Sequence, residues 1–223
     1  MAIDKRVASA AAAMEGVGDG ATVFITGFGG AGFANVLIRA LCEYRPRDLT
    51  LVVNSATHPL SLTHELISAG LVRKVIASAG RGREPGLSVF ETLLRDGKIE
   101  FECVPQGTFA ERIRAGGAGI PAFFTPVGFG TELTRGKETR TIAGRDCVLE
   151  MAISGDLALV RADLADRFGN LAFKHAQMNF GPAMATAAAL TVAEVREARE
   201  EPLPPEQVQV PGVFVDRVVA VGA

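Results

Sequence analysis

Hydrophobic positions in the first half of the chain follow two periodicities in turn. Short apolar runs at 22–25, 49–53, 72–77 and 99–103 are typical of buried strands. The apolar residues of 4–14, 36–41, 60–69, 89–95 and 108–114 recur at helical spacing. Strands that alternate with helices in this way predict a parallel sheet with helices on both faces.

The pattern changes after Pro121, where short strands dominate at 123–124, 147–151, 157–162 and 171–174. We expect these strands to form an antiparallel C-terminal addition to the same sheet. The polar segment 131–142 is predicted to be a surface loop, and 200–205 an extended linker before a last strand at 213–221. The predicted fold class is therefore α/β, an open and mostly parallel Rossmann-like sheet, in a single domain over residues 1–223.

Composition narrows the classes of partner. With 48% hydrophobic and 22% charged residues the chain is globular, and its net charge of −2 provides no broad positive field, so we expect no nucleic-acid partner. No window reaches the roughly 18 apolar residues that a membrane span requires, and no signal peptide opens the chain, which predicts a soluble, cytoplasmic protein. Cys42, Cys103 and Cys147 lie far apart in apolar runs and are expected to be buried free thiols.

A glycine motif follows the first predicted strand. Gly27, Gly29 and Gly32 spell G-x-G-x-x-G before a predicted helix, the context of a dinucleotide-binding loop. Glycines let backbone N–H groups approach an anion or a developing oxyanion, and a helix N-terminus adds about half a positive charge. The spacing does not identify the anion, and a tight turn that only packs strand against helix is the alternative.

The end of the second strand argues against a dinucleotide. A Rossmann site places Asp or Glu there to bind the ribose hydroxyls, whereas this strand ends in Asn54-Ser55. The nearest acidic residue, Asp48, precedes the strand and should lie at the opposite edge of the sheet.

Residues 19–34 resemble the A-subunit signature of class I CoA-transferases, in which Asp-Gly, three apolar residues, Gly-Gly-Phe and a later Gly and Pro occur in order. Thr26 and Ala34 depart from it, standing where glycine and proline are usual. Further segments similar to the family follow in order, so that the resemblance spans roughly residues 4–220: 104–119, 124–131, 136–138, 148–150, 155–160, 166–170 and 179–182.

The resemblance implies the fold shared by CoA-transferases and ribose-5-phosphate isomerase. It also implies that this A-type subunit pairs with a homologous B-type subunit, commonly as A2B2. The implied reaction is transfer of CoA from succinyl-CoA to a 3-oxoacid such as 3-oxoadipate or acetoacetate by a ping-pong mechanism. The nucleophilic glutamate of this mechanism belongs to the B-type subunit, so no catalytic residue is expected in this chain. The substrates are an acyl-CoA thioester and a carboxylic acid, and no bound cofactor is expected.

By the same resemblance, the substrate-binding and oxyanion residues are Gly27, Phe28, Gly29 and Gly32 in the glycine loop, with Asn54 and Gln106 as polar contacts. Ser55 and Met178 stand where many members carry asparagine and arginine. Two simpler roles stay open: Gln106 as a cap of the following helix, and Asn54 as the closure of a strand-end turn.

Three other residues invite a functional role. Glu150 lies in an apolar strand context, which favours a structural ion pair or an exposed edge over a nucleophile. His58 and His64 lack the spacing and the accompanying ligands of a metal site, so no metal is expected. Two alternative functions stay open, a CoA-thioester hydrolase of the same fold and a catalytically silent scaffold subunit.

Overall fold

The computed structural model describes residues 3–83 and 85–222. Its strands are β1 (Thr22–Ile25), β2 (Leu49–Ser55), β3 (Val72–Ala79), β4 (Glu100–Cys103), β5 (Ala122–Thr125), β6 (Thr139–Ile142), β7 (Arg145–Met151), β8 (Gly155–Asp166), β9 (Leu171–Ala172), β10 (Ala188–Arg199) and β11 (Arg217–Ala220). Its α-helices are α1 (Asn35–Tyr44), α2 (Thr63–Ser68), α3 (Val89–Arg95), α4 (Gln106–Gly117) and α5 (Gly181–Ala187).

The main sheet has the order β11-β10-β8-β1-β2-β3-β4, and all neighbours in it pair in parallel. Alternate residues of its central strands face opposite layers. Val23 and Ile25 pack with α1 and α2 on one face, whereas Phe24 packs with α4 and α5 on the other. This confirms the predicted mostly parallel sheet with helices on both faces. Strands buried on both faces explain the continuous apolar runs in the sequence.

The antiparallel addition is a separate sheet of order β5-β7-β6. The assignment of 157–162 to this addition is wrong, because these residues belong to β8, which pairs in parallel between β1 and β10. Four consecutive buried residues, 157–160, are the mark of a central parallel strand. Only the short β9 runs antiparallel to β8. Segment 131–142 is not a simple loop, since it contains a 3₁₀ helix at Glu132–Thr134 and the strand β6.

The predicted N-terminal helix over 4–14 is also wrong. Only Ala12–Met14 is helical, as one 3₁₀ turn. Residues 5–7 instead pair with the edge of the main sheet: Val7 N–H donates to Val218 O (2.9 Å) and Val218 N–H to Lys5 O (2.8 Å). The strand expected over 213–221 is shortened to β11 by a 3₁₀ turn at Gly212–Phe214. At the N-terminus, the pairing of residues 5–7 with the sheet edge outweighs the helix propensity of the alanines at 10–13.

The three cysteines are free, but Cys103 is exposed at the end of β4, so the expectation of burial fails there. Cys147 is buried as expected. Within residues 3–83 and 85–222, no helix has both the length and the apolar character to cross a bilayer.

Candidate functional site

The carboxyl ends of β1, β2 and β4 bring the predicted residues to one edge of the sheet. Residues 27–32 follow β1, Asn54 lies near the end of β2, and Gln106 opens α4 after β4. Strand order reverses beside β1, because β2 lies on one side of it and β8 on the other. Such a switch point leaves a crevice outside the strand ends, where open α/β sheets bind ligands. Asp48 precedes β2 and lies at the opposite edge, as predicted.

The glycine loop is a two-residue hairpin that carries an aromatic ring. Phe28 N–H donates to Ala31 O (3.0 Å), and Ala31 N–H donates to Phe28 O (3.1 Å). Gly29 and Gly30 between them have φ of 60° and 93°, the positive values that a tight hairpin turn requires. The Phe28 side chain is 45% exposed. The loop therefore presents Phe28 at the open edge of the sheet.

Two other glycines of the loop are required by close packing. A Cβ on Gly27 would lie 2.1 Å from the Phe33 ring, and a Cβ on Gly32 would lie 2.4 Å from Asn179 Nδ2. Asn179 braces the loop, because its Oδ1 accepts from Gly27 N–H (3.1 Å) and its Nδ2 donates to Ala31 O (3.2 Å). The bracing role of Asn179 was missed, although its segment belongs to the family resemblance.

Asn54 and Gln106 form a direct amide pair. Gln106 Nε2 donates to Asn54 Oδ1 (2.9 Å), which also accepts from Ser78 Oγ (3.0 Å). The Ser78 hydroxyl shares its one proton with the Asn54 backbone O (2.9 Å), so Gln106 is the main donor that orients the Asn54 amide, whose Nδ2 has no acceptor among the described residues. Neither simpler role holds. The N-cap of α4 is Pro105 without a side-chain cap, and Asn54 bonds side chains of neighbouring elements rather than its own turn.

An open cleft of about 290 Å³ lies between the loop and α4, lined by Phe28, Gln106, Gly107, Ala110, Asn179 and Phe180. Phe28 meets Phe180 edge to face, with ring centroids 6.3 Å apart. Asn54 lines a small adjoining pocket together with Gly27. The structure thus brings Phe28, Asn54 and Gln106 together at this edge of the sheet.

The helix after the glycine loop supplies no free positive end. Glu194 Oε2 accepts from the N–H groups of Val36 (2.9 Å) and Leu37 (3.1 Å) in the first turn of α1. Arg161 pairs with the same carboxylate at 3.0 Å. Burial of the carboxylate raises the pKa of Glu194, against the hydrogen bonds and Arg161, which lower it. The expectation that this helix contributes to an anion site is wrong, because the Glu194 carboxylate already occupies its N-terminus.

The N-terminus of α4, in contrast, has no protein carboxylate bound to it among the described residues. Its first turn contains no acidic residue and no side-chain cap. The first N–H groups of a helix have no intrahelical acceptor, and together they carry about half a positive charge. Gln106 and Gly107, the first two residues of α4, both line the cleft. This helix end and the Gln106 side chain therefore border the cleft.

The remaining candidates are structural. Glu150 is 2% exposed and pairs with Lys137 at 2.7 Å, which confirms the ion-pair interpretation. His58 Nδ1 accepts from Leu60 N–H (3.2 Å), its ring packs on Phe33, and burial lowers its pKa. His64 Nδ1 bonds Ser61 O. No cluster of three or more His, Cys, Asp or Glu fit for a metal occurs in residues 3–83 and 85–222.

Solved structures support the fold. An acyl-CoA transferase of Escherichia coli O157:H7 matches with a TM-score of 0.84 at 24% identity, over 99% of this chain. This chain spans only 48% of that longer chain. Glutaconate CoA-transferase of Acidaminococcus fermentans matches with a TM-score of 0.81 at 18% identity, covering 98% of this chain and 76% of that one.

Sequence comparison gives nearer relatives. The A-type subunit of 3-oxoadipate CoA-transferase from Pseudomonas putida is 49% identical over 220 residues, 98% of this chain and 94% of that protein. The A-type subunit of succinyl-CoA:3-ketoacid coenzyme A transferase from Xanthomonas campestris pv. campestris is 44% identical over 218 residues, 96% of this chain and 88% of that protein. The family described as Coenzyme A transferase matches residues 7–221. The chain therefore belongs to the coenzyme A transferase family.

Proposed function

We propose that this chain is the A-type subunit of a heteromeric CoA-transferase that moves CoA from succinyl-CoA to a 3-oxoacid such as 3-oxoadipate or acetoacetate. The relatives named for this activity cover almost the whole chain. The observation that carries the proposal is the Asn54–Gln106 amide pair, which stands beside the Phe28 loop at an open cleft.

A carboxylate nucleophile has to come from outside the cleft. None of the described residues that line it, namely Phe28, Gln106, Gly107, Ala110, Asn179 and Phe180, carries a carboxyl group. In keeping with the family resemblance, we assign the nucleophilic glutamate to a homologous B-type subunit. Its carboxylate attacks the thioester carbonyl and expels CoA thiolate, which leaves an acyl-glutamyl anhydride. The thiolate then attacks the glutamyl carbonyl, releasing the first carboxylic acid and leaving a glutamyl-CoA thioester. The acceptor acid then attacks the glutamyl-CoA thioester, and the two steps run in reverse to give the acyl-CoA of the acceptor and the free glutamate.

This chain's part in each step is to stabilise oxygen charge. Every attack on a carbonyl places negative charge on its oxygen, and a preset donor there is worth about 3 kcal/mol in the transition state. The Gln106 amide is the proposed donor, and the backbone of Gly27, Phe28 and Gly29 is proposed to line the acyl site. Asn54 holds the Gln106 amide at 2.9 Å and offers its own Nδ2 group.

Reconstitution tests the proposal. The chain alone is expected to be inactive, and addition of the B-type subunit should give transfer from succinyl-CoA to a 3-oxoacid. Gln106→Ala should lower turnover by roughly 10²-fold. Gln207→Ala, an exposed glutamine in a 3₁₀ turn, is the matched control and should leave turnover unchanged.

Other outcomes contradict the proposal in distinct ways. Release of free CoA without an acceptor would indicate a thioester hydrolase. Full activity of Gln106→Ala would indicate a scaffold role. A covalent CoA adduct on the isolated chain would show that the nucleophile lies in this chain and not in the B-type subunit. The A2B2 stoichiometry, the absence of a resident cofactor and the cytoplasmic location stay predictions.

A further inference from the structure

Thr26 follows the last residue of β1 and immediately precedes the glycine loop. Its side chain is buried, with 1% of the residue exposed. The signature that residues 19–34 resemble has glycine at this position. A buried hydroxyl requires hydrogen-bond partners, and those of Thr26 connect the loop to the sheet.

The hydroxyl completes a hydrogen-bond ladder that the backbone leaves unfinished. Thr26 N–H donates to Leu159 O (3.1 Å), as in a regular parallel pairing of β1 with β8. The next bond of such a ladder would run from Arg161 N–H to the backbone carbonyl of Thr26. Arg161 N–H instead donates to Thr26 Oγ1 (3.2 Å). The side chain thus replaces its own carbonyl at the point where the chain turns away at Gly27.

The same hydroxyl also fixes the far end of the loop. Thr26 Oγ1 donates to Gly32 O at 2.7 Å. The two ends of the loop are therefore joined through one atom, which is itself bonded to β8. Between these ends lies the hairpin that presents Phe28.

We infer that Thr26 is a positioning residue, whose hydroxyl holds the glycine loop and hence Phe28 in the geometry of the cleft. Valine has nearly the shape of threonine but would leave Arg161 N–H and Gly32 O without this partner. Serine keeps the hydroxyl, and glycine removes both the hydroxyl and the buried Cβ. The inference rests on the proposed function only in its last step, in which Phe28 lines the acyl site.

Hydrogen–deuterium exchange at the amides of Phe28 and Ala31 tests the inference on the isolated full chain. These two N–H groups form the hairpin bonds, so their exchange reports opening of the loop. Loss of two hydrogen bonds in Thr26→Val should speed their exchange by about tenfold to a hundredfold. Thr26→Ser should restore rates near those of the wild type. Thr22→Val, at the start of β1, is the control and should not alter loop exchange.

Equal loop exchange in Thr26→Val and wild type would overturn the inference, and so would a Thr26→Ser protein that behaves like Thr26→Val. Far-UV circular dichroism verifies that each variant folds, and if Thr26→Val does not fold, Thr26→Ala and Thr26→Gly take its place in the same comparison. With the B-type subunit present, Thr26→Val should lower kcat about tenfold with little change in KM, because misplacement of the reacting acyl group raises the barrier more than it weakens binding. If the wild type transferred no CoA but Thr26→Val still had faster loop exchange, the proposed function would be wrong and the inference about Thr26 would remain supported.

Discussion

Arg112 is the centre of a buried ionic cluster that joins three parts of the fold. It is 7% exposed on α4. Its guanidinium lies 2.6 Å from a Glu102 carboxylate oxygen on β4 and donates to Met151 O on β7 at 2.6 Å. Glu150 of β7 lies 3.8 Å away. The cluster therefore fastens the small sheet and the edge of the main sheet to the helix that begins at Gln106. We expect Arg112→Met to destabilise the protein strongly.

The structure sets the size of this effect. Two charge-assisted hydrogen bonds are lost, each worth about 1.5–3 kcal/mol. The two carboxylates are not left without a cation, since Glu102 keeps Lys74 at 2.8 Å and Glu150 keeps Lys137 at 2.7 Å. The loss should therefore fall at the lower end of the range for a broken buried pair, about 3 kcal/mol.

The same helix offers a matched control. Arg114 pairs with Glu111 at 2.7 Å, but the two side chains are 54% and 41% exposed. An exposed pair of this kind contributes at most about 0.5 kcal/mol. Arg114→Met changes the same residue type to the same replacement, two positions further along α4, and should be almost neutral.

Urea unfolding followed by far-UV circular dichroism measures both variants. Arg112→Met should lower the free energy of unfolding by about 3 kcal/mol and Tm by roughly 6–12 °C in a chain of this size. If the two variants differed by less than about 1 kcal/mol, the buried cluster would contribute no more than an exposed pair, and the reasoning from burial would be refuted.

Two further predictions concern the loop glycines and the start of α3. Gly32→Ala places a Cβ 2.4 Å from the bracing amide and should cost several kcal/mol, whereas Gly29→Ala meets open space and should cost about 1 kcal/mol; equal Tm values would contradict this. The pKa of Glu91 is lowered from 4.5 to about 2 by the Ser88 N–H, then by Arg81 and the Ser88 hydroxyl. The stabilisation is thus complete above pH 4.5 and lost as pH falls towards about 2, so Glu91→Gln should flatten the stability profile in that window, and parallel profiles would refute the assignment.

Periodicity predicted the first half of the fold well because its elements are locally consistent. The helix at Val89–Arg95 matches its predicted bounds, since Ser88 and Glu91 form a capping box that the chain specifies locally. Strand direction is not encoded in this way. Residues 157–160 are apolar whichever way the strand runs, and only their pairing with β1 and β10 makes the strand parallel. β10 and α5 were not predicted at all.

The candidate site was predictable as far as the resemblance extended. Asn54 and Gln106 were expected as polar contacts to the substrate, and although β3 separates their strands β2 and β4, the two amides share a hydrogen bond. The electrostatics were not predictable from the motif. Glu194 reaches the N-terminus of α1 from the other half of the chain. Contacts of this range depend on the sheet order, which no local pattern specifies.

The Glu194 carboxylate sets a condition for any redesign of this scaffold. Reshaping the glycine turn cannot make room for a phosphate at the start of α1, because the Glu194 carboxylate of β10 already accepts hydrogen bonds from the N–H groups there. Replacement of Glu194 with a neutral residue would also remove the carboxylate that pairs with the Arg161 guanidinium at 3.0 Å. An engineer seeking nucleotide specificity would have to exchange both residues together. A motif search that stops at the turn would miss them.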